Sequence, residues 1–377
     1  MKSVVELLAE LIRIPSVSEL SNRPIVDYVR RVLAPVGWKF REQIYRDLND
    51  IQKVNLIAAP PGADIEATEV DFAFVCHSDT VPYAASWTNA TNPVERDGNL
   101  HGCGACDVKG YLACLLTAAL SSASQPISSG LRLLLTADEE VGCVGTMRLM
   151  DAGCIRPRRV LIGEPTSLHP ARAGKGYCLA EISVVGKESH SAHPQQGTSA
   201  IYAAMELIAE IRNIAKSLEE ERNTFFNPSF ATINVGTIHG GTAKNIVPGR
   251  CNFQLEWRPL PNQSGNTVIE QVRKLAQRLE HQWSGQARYD IRVTRTQPGF
   301  ESPENAELVH QLQTFTGKPS MAIPFGSEAP YFAQVAEEVV VFGPGDMKTA
   351  HSERECIPLD ELNAAVSVMQ HLMKASS

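Results

Sequence analysis

Residues 131–142 read LRLLLTADEEVG, an apolar run that stops abruptly on three acids, Asp138, Glu139 and Glu140. Leu131, Leu133, Leu134 and Leu135 predict a strand buried on both faces, because such strands are near-continuously apolar and bounded by turn residues. In open parallel sheets ligands bind in the crevice beyond the carboxyl ends of the strands, so these acids stand where chemistry is placed. Adjacent carboxylates repel unless a cation or a shared proton relieves them. Taken alone, the three acids also suit a solvated turn or the first turn of a helix.

Working outward, two more apolar runs end in polar clusters. Residues 72–76, FAFVC, deliver His77, Ser78 and Asp79, and residues 160–163, VLIG, deliver Glu164, Pro165 and Thr166. Helical spacing of apolar residues predicts helices over 4–14, 24–36 and 359–374, and a continuous apolar helix over 111–120. Short strands are expected at 54–58 and 339–342, with a Pro-Pro-Gly turn at 60–62 and a long irregular segment before Gly110. After about Gly176 the strands alternate apolar and polar residues, as one-faced antiparallel sheets do. Strand 178–185, helix 198–215, strands 232–238 and 252–257, helix 268–282 and strand 289–294 spell a ferredoxin-like unit. The expected fold is therefore α/β, a mostly parallel twisted sheet flanked by helices, with an inserted α+β ferredoxin-like domain. The expected boundaries are 1–175 and 297–377 for the two parts of the main domain, and 176–296 for the insert.

At 377 residues the chain exceeds one ordinary core, which agrees with two domains. A hydrophobic content of 43% and a charged content of 20% are those of a soluble globular protein. The net charge of −7 argues against a nucleic-acid partner, which favours a basic face. The longest apolar stretch, residues 112–120, is far shorter than the roughly 20 residues of a membrane span. The amino terminus carries Glu6 and Glu10 inside an amphipathic pattern, unlike a signal peptide, so a cytoplasmic location is expected. Nine cysteines at irregular spacing suit reduced thiols. Cys103 and Cys106 have CxxC spacing, but no second pair follows to complete a structural zinc site.

The polar residues that follow the strands, His77, Asp79, Asp107, Glu139, Glu140 and Glu164, form a set with His351 of the late loop GPGDMKTAHSE. Singly, each reads equally as a helix cap or a surface side chain. Together they supply two imidazoles and at least four carboxylates, the mixed nitrogen and oxygen set that suits a pair of zinc-like ions. Two such ions roughly 3.5–4 Å apart need a bridging carboxylate, and an unligated carboxylate can serve as base.

The motifs HSDTVP at 77–82, GCGACDVKG at 102–110, DEE at 138–140 with Gly142, and GEPT at 163–166 resemble those of the acetylornithine deacetylase/succinyl-diaminopimelate desuccinylase family of co-catalytic zinc amidohydrolases. The resemblance continues in order through residues 186–194, GTI at 236–238, GGTAKN at 240–245, and the GPG before His351. It implies a zinc-aminopeptidase-like catalytic domain whose inserted domain forms a homodimer. It also implies two zinc ions, replaceable by cobalt: His77 and Glu164 on one, Glu140 and His351 on the other, Asp107 bridging. In that pattern Asp79 fixes the ligating tautomer of His77, Glu139 is the general base, and His190 of a partner subunit steadies the oxyanion. Gly186-Lys187-Glu188-Ser189-His190 fits the family's Gly-x-x-x-His pattern, which selects His190 over His193. Asn245 and Arg258 would contact the α-carboxylate of an N-acyl amino acid.

Residues 325–331, FGSEAPY, look most like the acetylornithine-deacetylating branch. They place Glu328 near the substrate side chain, where a carboxylate favours a cationic amine. The implied reaction is hydrolysis of N2-acetyl-L-ornithine in arginine biosynthesis. Alternatives are acetylcitrulline, succinyl-diaminopimelate, a general N-acyl amino acid or a dipeptide as substrate, or a non-catalytic binding relative. Cys76 and Cys106 stand directly before His77 and Asp107, either as packing residues or as oxidation-sensitive thiols.

Overall fold

Each apolar run becomes a strand whose residues are almost wholly inside. A computed structural model describes residues 2–121 and 127–374 of the chain. It contains two compact units, Met1–Arg172 with Glu301–Met321 and Ser327–Ser377, and Ala173–Phe300 with Ala322–Gly326. These limits differ from the expected ones by a few residues and by the short segment Ala322–Gly326. That segment joins the second unit because the Arg258 guanidinium donates to the Pro324 carbonyl at 2.9 Å, a contact that chain order does not disclose.

In chain order the first unit contains α1 (Val4–Ile12), α2 (Arg23–Leu33), β1 (Lys39–Arg46), β2 (Gln52–Ala59), β3 (Glu69–His77) and α3 (Gly110–Ser121). It continues with β4 (Leu131–Thr136), α4 (Val144–Asp151) and β5 (Arg156–Ile162). After the second unit come the strand Glu338–Val341, labelled β10, and the closing helix Leu359–Lys374. The sheet order is β1-β2-β4-β3-β5-β10. The four strands from β4 to β10 run parallel. The outer pair is antiparallel because β1 and β2 form a hairpin, its turn closed by Asp47 N–H to the Ile51 carbonyl at 3.0 Å.

Register then positions the site. His77 of β3 lies opposite Thr136 of β4, and Val75 lies opposite Ile162 of β5, so the three polar clusters emerge along one edge. Helix α1 starts with a capping box, in which the Ser3 hydroxyl accepts from Glu6 N–H at 3.2 Å and Glu6 accepts from Ser3 N–H at 2.7 Å. Its buried stripe Val4, Leu7, Leu8, Leu11 and Ile12 packs on α3. Each fully buried Leu contributes about 1.5–3 kcal/mol, so this stripe anchors α3 under the site. Helix α3 itself is buried nearly all round, which explains its lack of amphipathic pattern.

The second unit contains β6 (Tyr177–Val185), α5 (Ala200–Ser217), β7 (Thr232–Gly240), β8 (Arg250–Arg258), α6 (Asn266–Gln282) and β9 (Arg288–Gln297). Its antiparallel sheet has the order β7-β8-β6-β9, the ferredoxin-like arrangement. Ala203, Leu207 and Ile211 of α5 and Val268 and Val272 of α6 form a core with Ile182, Phe253 and Leu255. Among the described residues no helix is long and apolar enough to cross a membrane.

Candidate metal centre and active site

The end of β3 supplies His77, which is buried. Its Nε2 lies 3.0 Å from Asp107 Oδ1, and its Nδ1 lies 2.9 Å from the carbonyl oxygen of Asp79. Asp107 is buried on the short irregular helical segment Ala105–Lys109, and its other oxygen lies 3.0 Å from His351 Nε2. The same His351 nitrogen is 3.2 Å from Glu140 Oε1. Donor atoms of His77, Asp107 and Glu140 fall within 4.8 Å of one another. Glu164, at the end of β5, is buried close enough to this group for Asp107, Glu139 and Glu140 to repel its charge.

Glycine makes two of these approaches possible. A side chain at Gly163 would put Cβ 2.2 Å from the Tyr111 ring, and one at Gly345, where φ is +93°, would meet Cys106 Cβ at 2.6 Å. Cys76 and Cys106 themselves are buried, and burial pushes both thiols up, so they pack rather than react.

The charges show strain that a cation relieves. Burial opposes ionisation of Asp107, but hydrogen bonds from His351 and His77 outweigh it and hold the carboxyl well below the usual range. Hydrogen bonds to Asp107 and Glu140 push His351 up to about 10. Burial alone would lower His77, yet contact with Asp107 and the surrounding carboxylates raise it well above its ordinary value. Burial, together with repulsion from other carboxylates, raises Glu140 and Glu164. Two imidazoles and three carboxylates thus converge around space where protons do the work of positive charge, the donor set expected of a site for divalent ions.

Glu139 has a different environment from its neighbour. Among the described residues no salt bridge reaches it, and the Cys143 thiol donates to its Oε1 at 3.2 Å. Burial, reinforced by repulsion from Glu140, Glu328 and Asp79, pushes it up to about 8, close to neutrality as a general base requires. Asp138, at φ +56°, turns the other way. Its buried carboxylate lies 2.8 Å from Lys53 Nζ and accepts from the Tyr45 hydroxyl at 2.9 Å.

The role expected of Asp79 needs correction. Its carboxylate sits 3.8 Å from His77 Nδ1, and its carbonyl makes the imidazole contact instead. Asp79 Oδ1 accepts from Glu139 N–H at 3.0 Å, and Oδ2 accepts from Glu140 N–H at 3.2 Å and from the Ser18 hydroxyl at 2.7 Å. The carboxylate is occupied by backbone donors of the acidic turn, so one residue orients His77 through its main chain and the two glutamates through its side chain.

Glu328 sits in the same interior as the acid cluster. It is 0% exposed, accepts a hydrogen bond from the Thr146 hydroxyl, and burial raises its carboxyl. Its neighbours Ala329, Pro330 and Phe332 are buried too, and Glu328 is close enough to the acid cluster for His77 and Asp79 to act on its charge and for it to repel Glu139.

In the second unit, His190 lies exposed on a two-residue strand paired with Ile246–Val247, and its Nδ1 accepts from Ala192 N–H at 3.1 Å. The Asn245 carbonyl accepts from Ser191 N–H at 3.0 Å, which ties the two loops together. Arg258 pairs with Glu256 at 2.7 Å, and its guanidinium lies 4.7 Å from the Tyr177 ring centroid. Arg295, which sequence reasoning passed over, sits 4.8 Å from the same ring.

The sequence pattern of Peptidase family M20/M25/M40 matches residues 73–375. The chain belongs to this family. Among its M20 relatives, the acetylornithine deacetylase of Myxococcus xanthus is 41% identical over 366 residues, 96% of this chain and 94% of that one. The acetylornithine deacetylase of Edwardsiella ictaluri is 31% identical over 368 residues, covering 95% and 94%. A tripeptidase from Staphylococcus aureus has the same fold, with a TM-score of 0.79 at 21% identity over 98% of this chain and 97% of its own. An M20 metallo-carboxypeptidase from Sulfolobus solfataricus gives 0.75 at 17% identity, covering 99% of each chain. As an M20 chain the protein is a hydrolase of amide bonds.

Proposed function

We propose that the chain is a two-metal deacetylase that cleaves N2-acetyl-L-ornithine to L-ornithine and acetate, in the cytoplasm, as a step of arginine biosynthesis. One observation carries the reading: His77, Asp107, Glu140 and His351 converge on a shared centre beside Glu139, a carboxylate with no salt-bridged cation among the described residues. The identity to acetylornithine deacetylases over nearly the full length supports the substrate.

His77 and Glu164 would hold one ion, Glu140 and His351 the other, and Asp107 both. Zinc suits this nitrogen and oxygen set, and cobalt can replace it. Two bound zinc ions would polarise the amide carbonyl and acidify the attacking water. Glu139 accepts the proton of that water and returns it to the departing amine. In a homodimer formed through the second unit, His190 of the partner subunit donates to the developing oxyanion. Asn245 and Arg258 hold the substrate α-carboxylate, a task suited to a bidentate guanidinium.

A substrate panel tests the reading. The zinc- or cobalt-loaded protein is expected to show its highest kcat/KM on N-acetylornithine, above N-acetylcitrulline, N-acetylmethionine, N-succinyl-diaminopimelate and dipeptides, and to lose activity on chelation. Preference for any other member overturns the substrate assignment. A mixed dimer of His190→Ala and Glu139→Ala chains should recover activity in one of its two sites; no recovery means that His190 acts within its own chain.

A further inference from the structure

Glu355 is an acid that the reaction does not use, yet the chain buries it to 1% exposure. Among the described residues no salt bridge reaches it; burial and the nearby Asp107 charge push its carboxyl up to about 7, and main-chain N–H groups favour its ionised form against them. Oε2 accepts from Gly104 N–H at 3.0 Å, while Oε1 accepts from Cys106 N–H and Asp107 N–H, each at 3.1 Å. The Glu355 carbonyl accepts from Gly102 N–H at 3.3 Å, and the strand that follows, Cys356–Pro358, pairs with Asn99–His101. The loop that carries His351 is thereby fastened to the loop that carries Asp107 at its far end.

Ligand geometry explains why this matters. His351 adopts φ +55° and its side chain is 48% exposed, so little packing of its own holds it in place. Its internal ties are short-range: the Ser352 hydroxyl donates to the Thr349 carbonyl at 2.8 Å, and Glu355 N–H donates to the Ser352 carbonyl at 2.9 Å. Two contacts link this loop to Asp107: the His351 ring at its Oδ2, and the Glu355 carboxylate at its main-chain N–H. Charged acceptors of main-chain N–H groups make shorter and stronger hydrogen bonds than neutral ones, and one carboxylate can serve all three donors. An amide in its place offers one oxygen and turns its own N–H donors toward main-chain N–H.

We infer that Glu355 is a positioning residue, a clip that holds the Asp107 loop and the His351 loop at the spacing required to bind two divalent ions together. The inference rests on the reading of His77, Asp107, Glu140, Glu164 and His351 as metal ligands. Groups that orient metal ligands typically change metal affinity about 10–100-fold when replaced. The clip therefore sets how tightly the second ion is retained, and with it the fraction of molecules that are active at limiting metal.

The test is a cobalt titration of the full chain and of Glu355→Gln and Glu355→Asp, competed against a chromophoric chelator and followed by the visible spectrum of bound cobalt. The wild type should take up two equivalents. Glu355→Gln should bind its second equivalent about 10–100-fold more weakly, with an altered cobalt spectrum. Glu355→Asp, which keeps the charge, should fall between the two, an ordering that a merely structural role does not produce. Saturating cobalt should restore most of kcat in Glu355→Gln. Two equivalents bound by both variants with wild-type affinity and spectrum would overturn the clip alone. Failure of both variants to fold would also overturn it, because Glu355 would then be a folding residue. A wild type that takes up no cobalt would overturn the ligand set and the clip with it.

Discussion

Lys53→Met removes the cation that faces Asp138 in the interior of β2. Lys53 is 1% exposed and Asp138 2%, and their charged atoms are 2.8 Å apart. At that separation the attraction is about 6 kcal/mol for an effective dielectric of about 20. Desolvation of both ions offsets much of this, but removing one partner leaves a buried charge unmet and costs about 3–5 kcal/mol. The substitution also strands the carbonyls of Ser18 and Leu20, which accept from the same ammonium group. For a unit of this size the expected fall in Tm is roughly 6–20 °C. The loss should depend on pH in a definite direction. Burial already raises Asp138, and without Lys53 it rises further. A carboxyl whose folded pKa lies above its unfolded value binds more protons when folded, so the variant loses stability as pH rises. Thermal melts of wild type and variant at pH 5.5 and 8 read both quantities. A Tm within a degree or two of wild type, or a deficit that shrinks as pH rises, would refute the buried ion pair.

Glu139→Gln should still bind two equivalents of metal and lose about 10²–10⁴ in kcat with little change in KM, as expected for a proton acceptor that is not a ligand. Wild-type kcat, or loss of a bound metal, would remove Glu139 from that role. Metal uptake should release protons and strengthen as pH rises from 6 to 9, because His351 stands at about 10 in the metal-free protein and must shed its proton to bind an ion. Chelator competition at several pH values measures this; an affinity independent of pH would contradict it. The same shift makes metal-free protein lose stability as pH rises between 6.5 and about 10, since the charged His351 contacts exist only below that upper value.

Much of the site was legible because its ligands follow runs whose meaning is local. FAFVC, LRLLLT and VLIG are too apolar for any surface element, and the polar residues after them could only cluster at one sheet edge. What escaped notice depends on long-range partners. Glu355 binds main-chain groups of Gly104, Cys106 and Asp107, and nothing near it in HSERECIP announces an acceptor for distant N–H groups. Lys53 did leave a signal, a lone charge at the head of the apolar stretch KVNLIAA. Strand β1, KFREQIYR, shows no clean alternation and forms because it pairs with β2 along its whole length. The burial of Glu328 beside Ala329, Pro330 and Phe332, and its bond from the Thr146 hydroxyl, were not legible in FGSEAPY, because that partner lies far away along the chain.

The acidic turn works because its three carboxylates have three different partners. Lys53 and Tyr45 draw Asp138 inward, His351 meets Glu140, and the carboxylate of Asp79 grips the backbone of the two glutamates. Since Asp79 also touches the His77 ring through its carbonyl, the register between the imidazole and the acid pair is set by one residue. Glu139 has a thiol as its hydrogen-bond donor, and burial with neighbouring negative charge raises it to about 8 against the opposing charge of His77. A cationic side chain paired directly with it would lower that value and weaken it as a base. The two pairings and the missing one are therefore parts of the same device: Asp138 and Glu140 are each met by a cationic side chain so that the acid between them can remain a base.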